Sequence, residues 1–263
     1  MNETSARIVE TGPKTMPDDF KTPIYQSADG EPLLISVVIT VKNEQRHMRD
    51  LLDSLVVQKG PIEVIIVDAH SEDDTINIVK SFMKDFDFIK LLTYGGTRAR
   101  SRNRGAEIAK GDAIAFVDGD MIINPFWAEE MRKSLKKHHV VAGKTIQIGY
   151  HAFEDLVGVG MVVKGSDVTY PSCNLAYRKK ALAVISGFDS WFITAEDIDL
   201  NYRAVLNGYD IAYNPDAIAY HRTRGKFVNF IKQAFWNGAG RKQLSIKHGS
   251  MVQSYSPMDT VKN

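Results

Sequence analysis

From position 33 onward, short apolar runs alternate with segments in which apolar residues recur every three or four positions. Residues 33–41 (LLISVVITV) form a continuous, β-branched run, the pattern of a strand buried on both faces. Residues 42–45 are a polar loop. Residues 46–58 place Met48, Leu51, Leu52, Leu55 and Val56 at helical spacing. Residues 62–67 (IEVIIV) predict a second strand, and 68–73 a loop. Residues 74–86 carry Ile76, Val79, Phe82 and Met83 on one helical stripe. A third strand follows at 88–93, a helix at 98–109 and a fourth strand at 113–117 (AIAFV). This alternation predicts βαβ units, a mainly parallel sheet with right-handed crossovers, and a ligand crevice at the carboxyl ends of the strands.

The second half is less regular. Residues 140–148, 173–178 and 209–213 read as strands of a mixed sheet, and 217–220 is strand-like. Helices are predicted at 125–137, 195–207 and 226–244. The fold class is therefore α/β: a Rossmann-like sheet flanked by helices, in one domain with a C-terminal helical appendage. The domain is expected over 33–222, divided into 33–120 and 121–222. Residues 1–32, with four of the nine prolines, read as a largely irregular extension, and 223–263 as a helix and tail.

Composition narrows the class. At 44% apolar and 25% charged residues, collagen-like, coiled-coil and wholly disordered readings are excluded. A chain of this size buries about 73% of its unfolded surface, enough for a sizeable core. The net charge of +1 gives no overall attraction to nucleic acid. Locally the charge is uneven. Between positions 217 and 258 there is no Asp or Glu, but there are seven Lys and Arg. Cys173 is the single cysteine, so no internal disulfide forms. Met1 to Glu10 is polar and shows no leader pattern, and no run of eighteen apolar residues occurs. The expectation is a cytoplasmic protein, with at most a peripheral contact at the membrane face.

Four features carry candidate chemistry. Asp118-Gly119-Asp120 follows the fourth strand directly, so two carboxylates reach the predicted crevice. Hard oxygen ligands at this spacing suit Mg²⁺ or Mn²⁺, though Asp and Gly are also ordinary turn residues. Glu196-Asp197 opens a helix, where the dipole favours anions and a carboxylate is placed to act as a general base. Arg98, Arg100, Arg102 and Arg104 alternate at another helix start, either an anion site or a solvated basic face. His221 ends the strand-like 217–220 segment, a structural histidine or a third metal ligand.

Six motifs in order, ISVVITVKNE, VDAHSEDDT, RARSRNRGAEIAKGDAIAFVDGDM, CNLAYRKKAL, GFDSWFITAEDIDLNYRAVLNGYDIAY and AYHR, resemble the family 2 inverting glycosyltransferases with a GT-A fold. The resemblance spans residues 34–222. It implies a nucleotide-sugar donor, UDP- or GDP-linked, and a saccharide or polyprenyl-linked acceptor. It implies that Thr40, Val41, Asn43 and Glu44 wrap the nucleotide and that Asp68 contacts the base. The family's second acid and glycine after that position are Ala69 and His70 here. Arg98 and Arg102 fall where the sugar or diphosphate is steadied. Asp118, Gly119 and Asp120 match the metal-binding Asp-x-Asp, with His221 as a further ligand and Mn²⁺ or Mg²⁺ as the ion. Glu196-Asp197 matches the acceptor-site pair, with Asp197 as base. Asn174, Trp191 and Trp236 are expected on the acceptor side.

The helix at 226–244 mixes aromatic and basic residues. It either lies at a membrane interface or packs on the domain beside the acceptor crevice; aromatic stripes at helical spacing favour packing. Three other classes compete; one, a sugar-phosphate nucleotidylyltransferase, should carry a Gly-rich, basic loop after the first strand, where Lys42-Asn43-Glu44 contains no glycine. A haloacid-dehalogenase-like phosphatase also uses an Asp-x-Asp after a strand, but normally after its first strand. A non-catalytic nucleotide-sugar-binding protein would keep the fold and lose the need for both acid pairs.

Overall fold

The computed structural model describes residues 32–148, 160–222 and 227–249, with the side chains of 227–234 and 237 outside that description. The extension expected over 1–32 therefore lies outside the described residues except for Pro32, as do 223–226 and the tail from 250.

The chain runs β1 (Ile35–Val41), α1 (Met48–Val56), β2 (Ile62–Asp68), α2 (Thr75–Phe82), β3 (Ile89–Thr93), α3 (Arg98–Ile108) and β4 (Ala113–Asp118). It continues β5 (Met121–Ile123), α4 (Trp127–Leu135), β6 (Val140–Ile148), β7 (Val162–Val163), β8 (Ser166–Asp167) and β9 (Asn174–Arg178). It closes with α5 (Lys179–Val184), α6 (Glu196–Leu206), β10 (Ile211–Arg222) and α7 (Phe227–His248). Eight strands form one sheet in the order β3-β2-β1-β4-β9-β6-β10-β5, and β7 and β8 pair as a small hairpin. The first four neighbours are parallel, β9 is antiparallel to β4 and β6, β6 and β10 are parallel, and β5 is an antiparallel edge.

The apolar strands form because helices cover both faces. Val37 and Ile39 of β1 enter one core with Met48, Leu51, Leu52 and Leu55 of α1. Val38 enters the other, with Ala99 of α3 and Leu200 of α6. On α3 the face toward the sheet is built from small residues. A Cβ on Gly105 would stand 2.4 Å from Cγ1 of Val38, so only glycine lets α3 approach this closely.

Several elements differ from the sequence reading. The segments at 209–213 and 217–220 are parts of one strand, β10, whose register on β6 shifts between Asn214 and Ile218. Pro215 lies inside the shift; it has no N–H to give to a ladder, so the strand bulges around it. Three elements were not foreseen: β5, the β7–β8 hairpin and α5, all too short for periodicity to reveal. Asn174, expected on the acceptor side, belongs to the core instead. It is buried, accepts from Trp127 Nε1 at 2.8 Å and donates to the carbonyls of Lys144 (3.0 Å) and Ala217 (3.1 Å). Its amide thus joins α4, β6 and the bulge of β10, and both its N–H groups are used.

Truncation of Asn174 to Ala should leave the indole N–H and two carbonyls unpaired. The expected cost is about 2–4 kcal/mol in urea unfolding. An effect below about 0.5 kcal/mol would show that the clamp is not needed.

Candidate active site

The site lies at the carboxyl ends of β1, β2 and β4, where α3 and α6 also begin. β4 ends at Asp118, opposite Thr40 in register. The tight turn through Gly119 then leads into β5; a Cβ on Gly119 would stand 2.9 Å from Val41 Cγ1 and 3.1 Å from Glu44 Cγ. β5 pairs with β10 so that Met121 faces His221, which carries the imidazole back beside Asp120. Nε2 of His221 is 3.2 Å from Oδ1 of Asp120. Asp118, Asp120 and His221 each offer one ligand atom, and these atoms lie within 4.8 Å of one another. Two carboxylate oxygens and an imidazole nitrogen are a donor set that suits Mn²⁺ or Mg²⁺.

Arg102 stands between this cluster and the acid pair. Its guanidinium is 2% exposed. Nη2 donates to Asp118 Oδ1 at 2.9 Å and Nη1 to Glu196 Oε1 at 2.7 Å. Its face lies 5.4 Å from the centre of the Phe188 ring. Burial works against its charge, but Asp118 and Glu196 outweigh burial and hold its pKa above the usual value. Arg98 is exposed and reaches Glu196 at 3.8 Å.

Asp197 sits one residue on, at the first turn of α6. Ala195 enters that helix in the left-handed conformation, φ 61°. Asp197 Oδ2 accepts the N–H of Ser172 at 3.2 Å, and Oδ1 accepts the N–H of Ile198 at 2.9 Å. Burial and the neighbouring Glu196 charge push its pKa up, against the pull of Arg102 and the two N–H groups. A carboxylate with a raised pKa beside a crevice is suited to take a proton.

The residues expected on the nucleotide side are brought together at the ends of β1 and β2. Asp68 is buried beside Val41; its Oδ2 accepts the N–H of Ser71 at 3.0 Å, and its Oδ1 has no partner among the described residues. Asn43 adopts φ 57° and ties the two loops together, donating its N–H to Ser71 Oγ and accepting the N–H of Glu72. Glu44 donates its N–H to Thr75 Oγ1. His70 also takes a left-handed φ of 57°, the conformation a glycine adopts without strain, and its ring lies over Gly95.

The profile of the family described as Glycosyl transferase family 2 matches residues 36–187, more than half of the chain. The chain belongs to glycosyl transferase family 2. Glycosyltransferase AglE of Haloferax volcanii is 25% identical over 224 residues, covering 80% of this chain and 73% of that protein. Pre-mycofactocin glycosyltransferase of Mycobacterium tuberculosis is 27% identical over 233 residues, covering 81% of this chain and 48% of that protein. This chain thus spans about half the length of some curated relatives and about three quarters of others. Among solved structures, S. aureus TarS 1–349 in complex with UDP aligns with TM-score 0.63 and 25% identity, covering 73% of this chain and 61% of that chain. The mannosyltransferase PcManGT from Pyrobaculum calidifontis, solved with GDP-Man and Mn²⁺, aligns with TM-score 0.65 and 17% identity over 85% of this chain and 66% of that one. The GT-A fold and the glycosyltransferase assignment follow. Family membership also disfavours the phosphatase reading, and here the Asp-x-Asp follows the fourth strand, not the first.

Three residues beside the candidate site escaped the sequence reading. Arg222 donates its N–H to the carbonyl of Asp120, pairs with Asp50, and keeps a buried Nη1 that has no partner among the described residues. Its only signal was adjacency to His221. His47, at the start of α1, feels both Arg222 and Asp120; burial and then Arg222 lower its pKa. Ser172 holds Asp197 through a backbone N–H, which no side-chain pattern announces. Trp191 and Trp236 are both exposed, Trp191 on the loop before α6 and Trp236 on α7.

Replacing Arg102 by Ala should leave Asp118 and Glu196 facing each other with no cation between them. The expected loss is about 3–5 kcal/mol in chemical denaturation at neutral pH. Stability within about 0.5 kcal/mol of the parent would contradict the strut role.

Proposed function

We propose that the protein is a metal-dependent, inverting glycosyltransferase that moves a sugar from a nucleoside-diphosphate sugar to a hydroxyl of a saccharide or polyprenyl-linked acceptor. The observation that carries this reading is one crevice holding an Asp118–Asp120–His221 ligand set and, across Arg102, an acid with a raised pKa. Asp118, Asp120 and His221 would hold Mn²⁺ or Mg²⁺. When bound, the ion supplies positive charge against the developing charge of the diphosphate.

The chain's own residues do the rest. The unpartnered Oδ1 of Asp68 suits an imide-type N–H, as in uracil or at N1 of guanine. The TarS structure contains UDP, so a UDP-linked donor is the first to test. Arg102 and Arg98 place positive charge between the diphosphate side and the acid pair. Asp197 takes the proton of the acceptor hydroxyl as its oxygen bonds to the anomeric carbon. The bond from that carbon to the diphosphate oxygen breaks on the opposite face, and the nucleoside diphosphate leaves with the electron pair.

The test is turnover of a panel of UDP- and GDP-linked sugars with hydroxyl acceptors. Asp197→Asn should keep donor binding and lose at least about a hundredfold in transfer. Parent-like turnover by that variant would sink the base assignment.

The pH profile checks the same residue independently. Asp197 works only when deprotonated, and its folded-state pKa is raised. The acid limb of kcat/KM should therefore lie above the ordinary aspartate value of about 4. Glu196→Gln removes the like charge and should move that limb down. A limb at the ordinary value in the parent enzyme would contradict the assignment.

A further inference from the structure

The C-terminal helix α7 has two faces with different fates. Its inner face is clasped to the acceptor side of the domain. Gly240 lies against Thr194 and Ala195, where a Cβ would stand 2.8 Å from the Ala195 Cβ. Gln243 donates to the carbonyl of Trp191 and accepts the N–H of Ile193, both at 3.2 Å. Leu244 is buried. Lys247 donates to Asp189 (2.7 Å) and Asp199 (2.6 Å), and His248 Nε2 lies 2.7 Å from the same oxygen of Asp199. Asp199 is fully buried two residues beyond Asp197, so α7 is fixed to the helix that carries the proposed base.

Among the described residues, the outer face shows no such contacts. Phe235, Lys242 and Ile246 recur at spacings of seven and four, one stripe of the helix. Phe235 is 69% exposed and Ile246 63%. Trp236 is exposed beside Phe235, with ring centres 5.6 Å apart. On the clasped loop, Trp191 is exposed and Ile193 is 69% exposed. Of the three tryptophans in the chain, Trp127 is buried and both others lie here. Single exposed apolar residues are ordinary, but here five large ones lie on one helix and on the loop held against it.

Charge selects the occupant. The stretch from 217 to 258 contains no Asp or Glu, while Lys242 lies on the stripe and Arg241 next to it. The acids that meet the inner face, Asp189 and Asp199, are already paired with Lys247. A second copy docked helix to helix would bring like charges together with no acid on α7 to answer them. An anionic lipid surface answers them and also accepts aromatic side chains at headgroup depth. No helix among the described residues is long and apolar enough to cross a membrane, so the contact would be interfacial.

We propose that the outer face of α7, with Trp191 and Ile193 beside it, docks on an anionic lipid bilayer. The sequence alternatives for this helix, packing or membrane, are thus assigned to its two faces. The docking stands on this geometry; only its use in presenting a lipid-linked acceptor rests on the glycosyltransferase reading.

The test is co-sedimentation of the full chain with vesicles of phosphatidylcholine alone and of phosphatidylcholine mixed with phosphatidylglycerol. Binding is expected only to the mixed vesicles and should be released by salt. Phe235→Ser with Ile246→Ser should lower partitioning about tenfold or more. Arg241→Gln with Lys242→Gln provides a second, charge-only variant, with a loss that disappears at high salt. No binding of the parent to anionic vesicles at low salt would overturn the proposal. So would unchanged binding by both variants, or a concentration-dependent dimer that the Phe235/Ile246 variant abolishes. A UDP thermal shift in the same samples separates the two readings. A retained shift without vesicle binding overturns the docking face alone; vesicle binding without a shift supports docking and counts against the donor assignment.

Discussion

Arg102 is the interaction on which the site depends. Its buried guanidinium joins the end of β4 to the start of α6, through Asp118 on one side and Glu196 on the other. Without a cation there, two carboxylates from different halves of the domain would face each other with nothing to balance their charge. The arrangement is possible only because α3 lies so close to the sheet, and that follows from Gly105 against Val38. A small residue one helical turn on from Arg102 thus sets where the charge sits. The second nitrogen of the same fork holds Glu196 beside Asp197, whose pKa burial and that neighbouring carboxylate push up. One side chain therefore shapes both the diphosphate side and the proton-accepting side.

The rest of the fold delivers partners to this strut. The parallel strands β1, β2 and β4 end together, which brings the Asp68 carboxylate and the 118–120 turn to one edge. β10 must then return to that edge from the far end of the sheet. It does so past the bulge at Pro215, which Asn174 clamps through the Ala217 carbonyl, and it pairs with β5 to seat His221 beside Asp120. On the other side, the left-handed Ala195 turns the chain into α6, and α7 braces the loop that leads there. Stability and function meet in these braces: the groups that stabilise the loop also fix where the proposed base points.

Much of this was legible in the chain before any coordinates. The buried strands of the first half announce themselves because both faces are covered, so apolar runs are continuous. The Asp118–Asp120 turn was legible from its place after such a run. What could not be read depends on tertiary pairing. β5 has three residues and no pattern of its own; only β10 gives it meaning. Asn174 carries a functional-looking side chain, yet its amide is used inside the sheet. Arg222 and Ser172 join the site through backbone N–H groups, which residue type does not encode. The amphipathic pattern of α7 was visible, but which stripe faces inward follows from where Gly240 and Gln243 meet the 191–195 loop.

The central claim is that Asp118, Asp120 and His221 form a metal site that works together with a nucleotide diphosphate. The most direct measurement is a thermal-shift titration of UDP with and without Mn²⁺ on the parent chain and on Asp120→Ala. The account predicts a shift that needs the ion in the parent, equivalent to about 2.7 kcal/mol at a hundredfold excess over Kd, and its loss in Asp120→Ala. An equal UDP shift with and without Mn²⁺, or one unchanged by Asp120→Ala, would contradict it.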